Sequence, residues 1–405
     1  MQSPSARSPA RPEPAVVTGA AALAAAAFAP LAGHRIGLIT NQTGRVGDDH
    51  LADLLRATPG VRLTAIFAPE HGFRGTAEAG ASVAHGVDRK TGVPVRSLYG
   101  ATRKPTPTML RDIDLLVFDI QDVGVRFYTY ISTMGLAMQA AAARRIPFIV
   151  LDRANPLGGE DVSGFMLDTA LKSFVGQYPM PIVHGMTVGE IARMIKGEQW
   201  LDGLEGLDLS IVEMKGWRRG MRWPETRLDW IPTSPNVPTF ETALAYPGIG
   251  LVGETLVNEG RGTPHPFLRF GAPWLDARNA ADALNAASLA GARFAPLRYK
   301  PRSIPHVAAD PRFVGEEIPG VHIEIANASA YRPLEVGMHV LAYLRKASRA
   351  AGAPLFGKLT MFHATSGTKR LHAMIERGVS GSALVASWAD EAERFRRRRE
   401  RYLIY

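Results

Sequence analysis

Apolar and amphipathic segments alternate through the first half of the chain, and this alternation predicts a series of strands and helices. The apolar segments that predict strands are HRIGLIT, VRLTAIFA, DLLVFDI, IPFIVLD and LDLSIVEM. The segments with helical spacing are DDHLADLLRAT, TPTMLRDI, TMGLAMQAAAARR and TVGEIARMIKGEQW, and Thr187 with Glu190 has the spacing of a capping box at the start of the last one. Apolar strands separated by amphipathic helices are typical of a parallel sheet that helices cover on both faces. We therefore expect an α/β fold with a doubly wound, Rossmann-like parallel sheet.

The pattern becomes less regular in the second half, from the proline-rich segment WIPTSPNVPTFETALAYPG onward. We expect this segment to be a connection between domains. Beyond it, VHIEIAN predicts a strand, and LEVGMHVLAYLRKAS, TKRLHAMIERG and the C-terminal SWADEAERFRRRRERYLIY predict helices. The predicted organisation is a disordered Pro/Ser-rich tail at residues 1–15, a Rossmann-like domain at 16–245 and a smaller C-terminal α/β (α+β) domain at 246–405.

The amino-acid composition excludes several kinds of site and limits the possible partners. The chain of 405 residues has no cysteine, which excludes disulfides, thiolate zinc sites and cysteine nucleophiles. Its net charge is +9, and much of this charge lies in the C-terminal run RFRRRRERY. Because no nucleic-acid-binding motif accompanies the run, we expect the solvated face of a terminal helix and no nucleic-acid partner. A weak attraction to an anionic substrate or cell-wall polymer is the alternative.

The alanine-rich segment near the N-terminus, AALAAAAFAPLAG, has some features of a signal peptide. Leucine and isoleucine are sparse in it, and GHR follows where a cleavage site is expected, so a short helix that leads into the strand RIGLIT fits better. The chain contains no stretch of ~20 strongly apolar residues, so we expect no membrane span. These features predict a cytoplasmic protein, with export or a periplasmic location as the alternative.

Polar residues follow four of the predicted strands, at the point where each strand ends. They are Asn41 after the first strand; Glu70, His71 and Arg74 after the second; Asp122, Arg126, Tyr128 and Tyr130 after the third; and Arg153 with Asn155 after the fourth. Any one of them could serve turn chemistry. In a parallel sheet, however, the carboxyl ends of the strands share one edge, where ligands bind. The pattern therefore predicts a polar site at this edge, in which the tyrosines could form a wall for sugar rings.

Two of these segments have a plain structural alternative. In FDIQDVGVRFYTYIST the aspartates could pair with Arg126 while the tyrosines pack under the next helix. His184, in PIVHGMTVG, could be a ligand, although a single histidine at a strand end is more often only hydrogen-bonded. The segment GIGLVG matches the glycine spacing of a dinucleotide-binding turn but does not follow a strand. We therefore expect no nucleotide or other cofactor, and no metal.

Several segments, taken in order, resemble the exo-β-N-acetylmuramidase family. They are GLITNQTG, FAPEHGFRG, LLVFDIQDVGVRFYTYISTM, VLDRANPLGG, SFVGQYPMPIVHGMTVGE, TSPNVPT, NEGRGTPHPF and GAPWLD. The likeness runs from about residue 16 to the final YLIY. It departs at NQTG, where NPTG is expected, and at LVNEGRGT, where NLSEGRGT is commoner.

This resemblance implies an enzyme that removes N-acetylmuramic acid from the non-reducing end of peptidoglycan fragments, with its active site in a cleft between the two domains. The acid of the family's EHG motif corresponds to Glu70, which is the candidate general acid. The other candidates for catalysis are His71, Asp122 and Tyr128. Candidates for substrate binding are Asn41, Arg74, Arg126, Tyr130, Arg153, Asn155, His184, Asn236, Glu259 and Arg261. The arginines Arg74, Arg126, Arg153 and Arg261 are available for the lactyl carboxylate of muramic acid.

Some alternatives stay open at the level of sequence. The second catalytic group could be an aspartate, a tyrosine or the acetamido oxygen of the substrate, and the anomeric outcome could be retention or inversion. In NEGRGTPHPF, Arg261 could reach the substrate or form an internal pair with Glu259. The protein could also be a different α/β hydrolase that acts on a carboxylated sugar or peptide, or a muropeptide-binding protein without activity.

Overall fold

The computed structural model describes residues 16–75, 77–78 and 80–405, so the predicted tail at residues 1–15 lies outside the described residues. The strands of the first half are β1 (Arg35–Thr40), β2 (Arg45–Val46), β3 (Asp49–His50), β4 (Arg62–Ala68), β5 (Gly86–Val87), β6 (Pro94–Ser97), β7 (Leu115–Asp119), β8 (Phe148–Leu151) and β9 (Leu209–Val212). The helices are α1 (Gly19–Ala25), α2 (Leu51–Ala57), α3 (Tyr130–Arg144), α4 (Val188–Gly197), α5 (Trp223–Thr226) and α6 (Phe240–Val252).

The main sheet has the order β5-β6-β4-β1-β7-β8-β9. All pairings from β6 to β9 are parallel, and β5 adds an antiparallel edge. The chain thus builds one side of the sheet from β1 through β4 to β6, then returns to β7 beside β1 and builds the other side. This is the order of doubly wound sheets, in which the ligand crevice lies where the direction of winding reverses. The α/β prediction is confirmed, and a ligand crevice is expected at the carboxyl ends of the adjacent strands β1 and β7, with β4 next to them.

Burial explains why these segments form the sheet. Every residue of β7 is buried, as expected for a strand that helices cover on both faces.

The capping box that begins α4 is present, since the side chain of Thr187 accepts from the N–H of Glu190 and the Glu190 carboxylate accepts from the N–H of Thr187. The alanine-rich helix α1 is part of the core, with Ala20 and Leu23 buried.

Two predicted elements are wrong. The segment TPTMLRDI forms turns and not a helix. The expected proline-rich connection contains α6, which is capped by Thr239 and has Pro247 in its interior. Tertiary packing stabilises this helix: Gly248 lies so close to Gly337 that a Cβ on either glycine would overlap the other backbone. Residue 245, the predicted end of the first domain, falls inside α6 and not in a linker. The domain limits of 16–245 and 246–405 therefore stay a prediction.

The second half forms a smaller antiparallel sheet with helices packed around it. Its strands are β10 (Arg269–Gly271), β11 (Ala292–Tyr299) and β12 (Ile318–Ile325), in the order β10-β12-β11. Its helices are α7 (Ala277–Ala286), α8 (Pro333–Ala350), α9 (Thr360–Ser366), α10 (Lys369–Glu376), α11 (Gly381–Ala386) and α12 (Ala389–Arg399). Short 3-10 turns occur at Ala29–Leu31, Thr169–Leu171 and Glu400–Tyr402. Across the described ranges, none of the helices is both long and apolar enough to cross a membrane.

The arginine run of α12 is only partly a solvated face. Arg399 is buried and donates to the carbonyl oxygens of Gly159 (2.9 Å) and His184 (2.8 Å), and Arg398 pairs with Glu198. Two arginines of the run therefore hold the C-terminal helix against the first domain. Because the guanidinium groups of Arg398 and Arg399 are bound within the protein, they are not available to bind an anionic polymer.

Candidate active site

Glu70 lies at the carboxyl end of β4, half-buried, and is held from two directions. Its Oε2 accepts a hydrogen bond from Thr129 Oγ1 at 2.5 Å, and its Oε1 accepts from the backbone N–H of Gly80 at 2.8 Å. Thr129 immediately precedes α3, so the loops that follow β4 and β7 meet at this carboxylate. The side chain of Tyr99 lies beside it: burial raises the pKa of the Tyr99 hydroxyl to about 12, and the negative charge of Glu70 adds to the shift.

His71 has a backbone conformation that side chains seldom adopt. Its φ is +67°, in the left-handed region, where it occupies the position usually taken by glycine or asparagine in a turn closed from Gly72 N–H to the Pro69 carbonyl oxygen. Such strain is concentrated at functional sites. Nδ1 lies 2.7 Å from the carbonyl oxygen of Ala77, which can only accept, so Nδ1 carries the proton. Burial lowers the pKa of His71, which favours a neutral ring with Nε2 as a free acceptor.

Asp122 follows β7 and is buried. Its Oδ1 accepts from the N–H of Gly124 at 2.8 Å, while Oδ2 has no hydrogen-bond partner among the described residues. Burial raises the pKa of Asp122 to about 7. Near neutral pH this carboxyl therefore retains a proton in a large share of molecules, unlike an exposed aspartate.

A cluster of aromatic side chains connects the two carboxyls. Tyr128 and Tyr130 meet edge to face at 5.0 Å, and both hydroxyls are bound to Thr233 at 2.7 Å. Tyr246, from α6, lies 5.9 Å from Tyr128. Burial raises the pKa of Tyr130 and Tyr246, and the charges of Glu70 and Asp122 both add to each shift. The two carboxyls thus face the same aromatic cluster.

The second domain reaches this cluster through the loop at residues 258–267. Arg261 pairs with Glu259 at 2.8 Å, and its guanidinium lies 5.2 Å from the ring centre of Phe267. The charge of Arg261 contributes to lowering the pKa of His71, after burial, so this loop lies beside the Glu70 turn. The sequence left two interpretations of Arg261 open, and the structure has the internal pair with Glu259. Because Arg261 Nη1 donates to the buried Glu259 carboxylate, part of the guanidinium is already bound within the protein. A cavity of about 550 Å³ adjoins this pair.

Two of the predicted ligand arginines are structural. Arg126 is fully buried and donates to the carbonyl oxygens of Phe165, Met180 and Thr365 at 2.7–2.8 Å. It therefore has no access to a substrate carboxylate.

Arg153 is also buried and makes a two-point pair with Asp119, at 2.6 and 2.9 Å. The structural alternative, in which Asp119 pairs with Arg126, is therefore not the pairing that the structure has. Because Asp119 neutralises Arg153, the substrate-binding role predicted for Arg153 has no support in this geometry.

The remaining candidates have local bonding roles. Arg74 Nη2 donates to both carboxylate oxygens of Asp88, at 2.9 and 3.0 Å. Asn155 accepts from Leu157 N–H and donates to the Met186 carbonyl oxygen. His184 is fully buried, which lowers its pKa to about 3, so it stays neutral. These three side chains are occupied within the protein, which corrects their assignment to the substrate.

Asn41 and Asn236 are also hydrogen-bonded within the protein. Asn41 accepts from the N–H and hydroxyl of Thr43, and its amide lies against Tyr130. Asn236 donates to the carbonyl oxygen of Val307 at 2.6 Å, which ties the first domain to a loop of the second. Asn41 therefore adjoins the aromatic cluster, and Asn236 contributes to holding the two domains together.

Sequence reasoning missed Thr129, Tyr99 and Tyr246. Thr129 lies in the segment FYTYIST, four residues before the predicted helix TMGLAMQAAAARR, and the observed helix α3 begins directly after it, so the early start of α3 gave no signal at Thr129. Tyr99 and Tyr246 have no local signal either, because their proximity to Glu70 results from folding over long separations.

The raised pKa of Asp122 predicts a dependence of stability on pH. Because the folded protein holds this proton more tightly than the unfolded chain, where an aspartate has a pKa near 3.8, its contribution is complete below pH 4 and is lost as the pH rises to about 7. Asp122→Asn, which cannot ionise, should therefore gain stability relative to the wild type between pH 4 and pH 7. Thermal unfolding at a series of pH values measures this.

Asp282→Asn, at an exposed position of α7, is the control and should leave the dependence of stability on pH unchanged. Parallel profiles for Asp122→Asn and wild type would contradict the assignment.

Comparisons with known proteins agree along the whole chain. The family model described as "Exo-beta-N-acetylmuramidase NamZ, N-terminal" matches residues 36–241, and its C-terminal counterpart matches residues 244–405. The peptidoglycan beta-N-acetylmuramidase NamZ of Bacillus subtilis (strain 168) is 40% identical over 404 residues, which span 100% of this chain and 94% of that protein.

Two crystal structures of DUF1343 family proteins from Bacteroides fragilis NCTC 9343 are also similar. One has a TM-score of 0.88 and 38% identity, with 97% of this chain and 100% of that chain covered. The other has a TM-score of 0.77 and 35% identity, with 96% and 99% covered. The similarity therefore extends over both domains and not over the sheet alone.

Proposed function

The chain belongs to the exo-beta-N-acetylmuramidase family, and on this premise we propose that it is an exo-acting glycosidase that releases N-acetylmuramic acid from the non-reducing end of peptidoglycan fragments. Full-length identity of 40% to a peptidoglycan beta-N-acetylmuramidase supports the proposal most strongly. The placement of Glu70 at the carboxyl end of β4, next to the strands β1 and β7 between which the direction of winding reverses, supports it independently.

Glu70 is the proposed general acid. Cleavage of a glycoside needs a proton for the leaving oxygen and stabilisation of an oxocarbenium-like centre. Glu70 is half-buried, so part of it is open to solvent, and its two oxygens are positioned by Thr129 and by Gly80 N–H. A carboxyl with a fixed orientation can deliver its proton along one direction, as general acid catalysis requires. The neighbouring His71, with Nε2 as acceptor, is suited to a sugar hydroxyl.

The second catalytic group is proposed to be the acetamido oxygen of the substrate. Asp122 is buried and Tyr128 is buried with its hydroxyl bound to Thr233, so neither presents a free nucleophile. Participation of the acetamido group gives retention of the anomeric configuration. NMR of the first-formed sugar would then show the β-anomer of N-acetylmuramic acid, whereas the α-anomer would refute this part of the proposal.

A turnover assay tests the function. A chromogenic β-N-acetylmuramide and a disaccharide with N-acetylmuramic acid at its non-reducing end should both be cleaved, with free N-acetylmuramic acid as product. Binding without cleavage would indicate a muropeptide-binding protein. Neither cleavage nor binding would indicate a different α/β hydrolase.

Within this proposal the enzyme acts in the cytoplasm. The observation that supports this is the burial of α1 in the core of the first domain, which is the role of a structural helix and not of an export signal. Fractionation of cells that produce the full chain tests the location. Recovery of the protein outside the cytoplasm would contradict it.

A further inference from the structure

An exposed arginine lies on two aromatic rings beside Glu70. The guanidinium of Arg103 is 4.3 Å from the ring centre of Phe174 and 5.2 Å from that of Tyr99, and the two rings are 5.9 Å apart. Tyr99 interacts through its hydroxyl with the Glu70 carboxylate. We refer to Tyr99, Arg103 and Phe174 as the aromatic shelf. Tyr99 therefore connects the shelf to the proposed general acid.

Arg103 differs from the other arginines near the site. The guanidinium groups already committed to protein acceptors belong to Arg74, Arg126, Arg153 and Arg261. In the ranges that the structure describes, Arg103 forms no ion pair and no side-chain hydrogen bond, although it is exposed. Stacking uses the face of a guanidinium and leaves its in-plane N–H groups free, so the group can still bind a carboxylate with two hydrogen bonds.

The shelf is positioned by separate segments of the chain. Thr102 and Lys104 form a hydrogen-bonded turn around Arg103, and Lys104 Nζ donates to Gln139 Oε1 of α3 at 2.6 Å. Phe174 lies on a tight hairpin closed by two backbone hydrogen bonds between Ser173 and Gly176. The backbone on both sides of Arg103 and of Phe174 is therefore held by hydrogen bonds before any ligand arrives, which lowers the entropic cost of binding.

We propose that the aromatic shelf is the subsite that binds a carboxylate of the substrate, with Arg103 as the residue that determines specificity. The proposal rests on the glycosidase function proposed above. The carboxylate belongs either to the lactyl group of muramic acid or to a peptide stem attached to it. Both present the same anionic group to the guanidinium, and the substrates in the test distinguish them.

The test compares the wild type with Arg103→Met, which keeps an unbranched side chain on the rings but removes the charge. Arg111→Met, at an exposed position of the turns that follow, is the matched control. The substrates are a chromogenic β-N-acetylmuramide, its lactyl methylamide, and the same muramide with a peptide stem. A charge-assisted pair is lost, so KM should rise roughly tenfold or more in Arg103→Met with little change in kcat.

The pattern of KM identifies the source of the carboxylate. A rise on the peptide-free acid, absent on the methylamide, assigns the shelf to the lactyl group. A rise confined to the substrate with a stem assigns it to the peptide. Equal changes on the acid and the methylamide, no change in KM on any substrate, or a loss confined to kcat would each overturn the proposal.

Binding of free N-acetylmuramic acid separates this proposal from the proposed function. Calorimetry should show weaker binding to Arg103→Met than to the wild type if the lactyl group is the ligand, whether or not the enzyme turns over. A wild type that binds but does not cleave would refute the glycosidase function alone. Normal cleavage together with unchanged KM and unchanged binding in Arg103→Met would refute the shelf alone.

Discussion

Glu70→Gln should lower kcat on a natural disaccharide by about 10²-fold or more while the protein still folds and binds its substrate. The amide fits the same two contacts: its oxygen can accept from Gly80 N–H, and its NH₂ can donate to Thr129 Oγ1, whose hydroxyl hydrogen is free to rotate. Glutamine cannot deliver a proton. Steady-state kinetics, together with calorimetry of substrate binding, measure the two effects separately.

The choice of leaving group sharpens this experiment. An activated phenolic leaving group departs with less protonation, so the loss in Glu70→Gln should be smaller on a nitrophenyl muramide than on the disaccharide. Glu160→Gln, at an exposed position after β8, is the control and should keep wild-type rates. Near-full activity of Glu70→Gln on the disaccharide would show that Glu70 is structural, and the acid would then be sought at Asp122 or Glu259.

Asp119→Ala should destabilise the protein by about 3–5 kcal/mol, because it leaves the guanidinium of Arg153 buried without its partner. The free energy of unfolding in urea measures this. Asp112→Ala is the contrasting control, since its carboxylate is 72% exposed and lies 3.9 Å from Arg35. An exposed pair of this kind contributes at most about 1 kcal/mol.

The double variant Asp119→Ala/Arg153→Met separates the pair from its parts. Removing both charges takes away the unpaired cation, so the double variant should be more stable than Asp119→Ala alone. If instead the two were equally unstable, the cost would come from lost packing at the end of β7 and not from the buried charge. An Arg153 that was free to bind substrate would also predict only a small effect of Asp119→Ala.

The strands and most helices of the first domain follow from local signals. The continuous apolar runs of RIGLIT and LLVFD, the Thr187–Glu190 cap and the turn chemistry after β4 all act within a few residues, so one segment contains the whole cause. Local signals also predict that the polar residues after the strands lie at one edge of the sheet, because the carboxyl ends of parallel strands share that edge. This reasoning predicted the α/β class, which is confirmed, and the region around Glu70 as the site, which stays a prediction.

The partners of the charged side chains were decided by tertiary structure. Arg126 finds its acceptors 39, 54 and 239 residues away along the chain, and Asp119 finds Arg153 at a separation of 34. No local pattern encodes such separations. Which arginine is buried and which is free therefore depends on how the loops meet, and this is why Arg103 had no signal in the sequence while four paired arginines did. The helix around Pro247 has the same cause, because its close packing on α8 outweighs a local preference against helix.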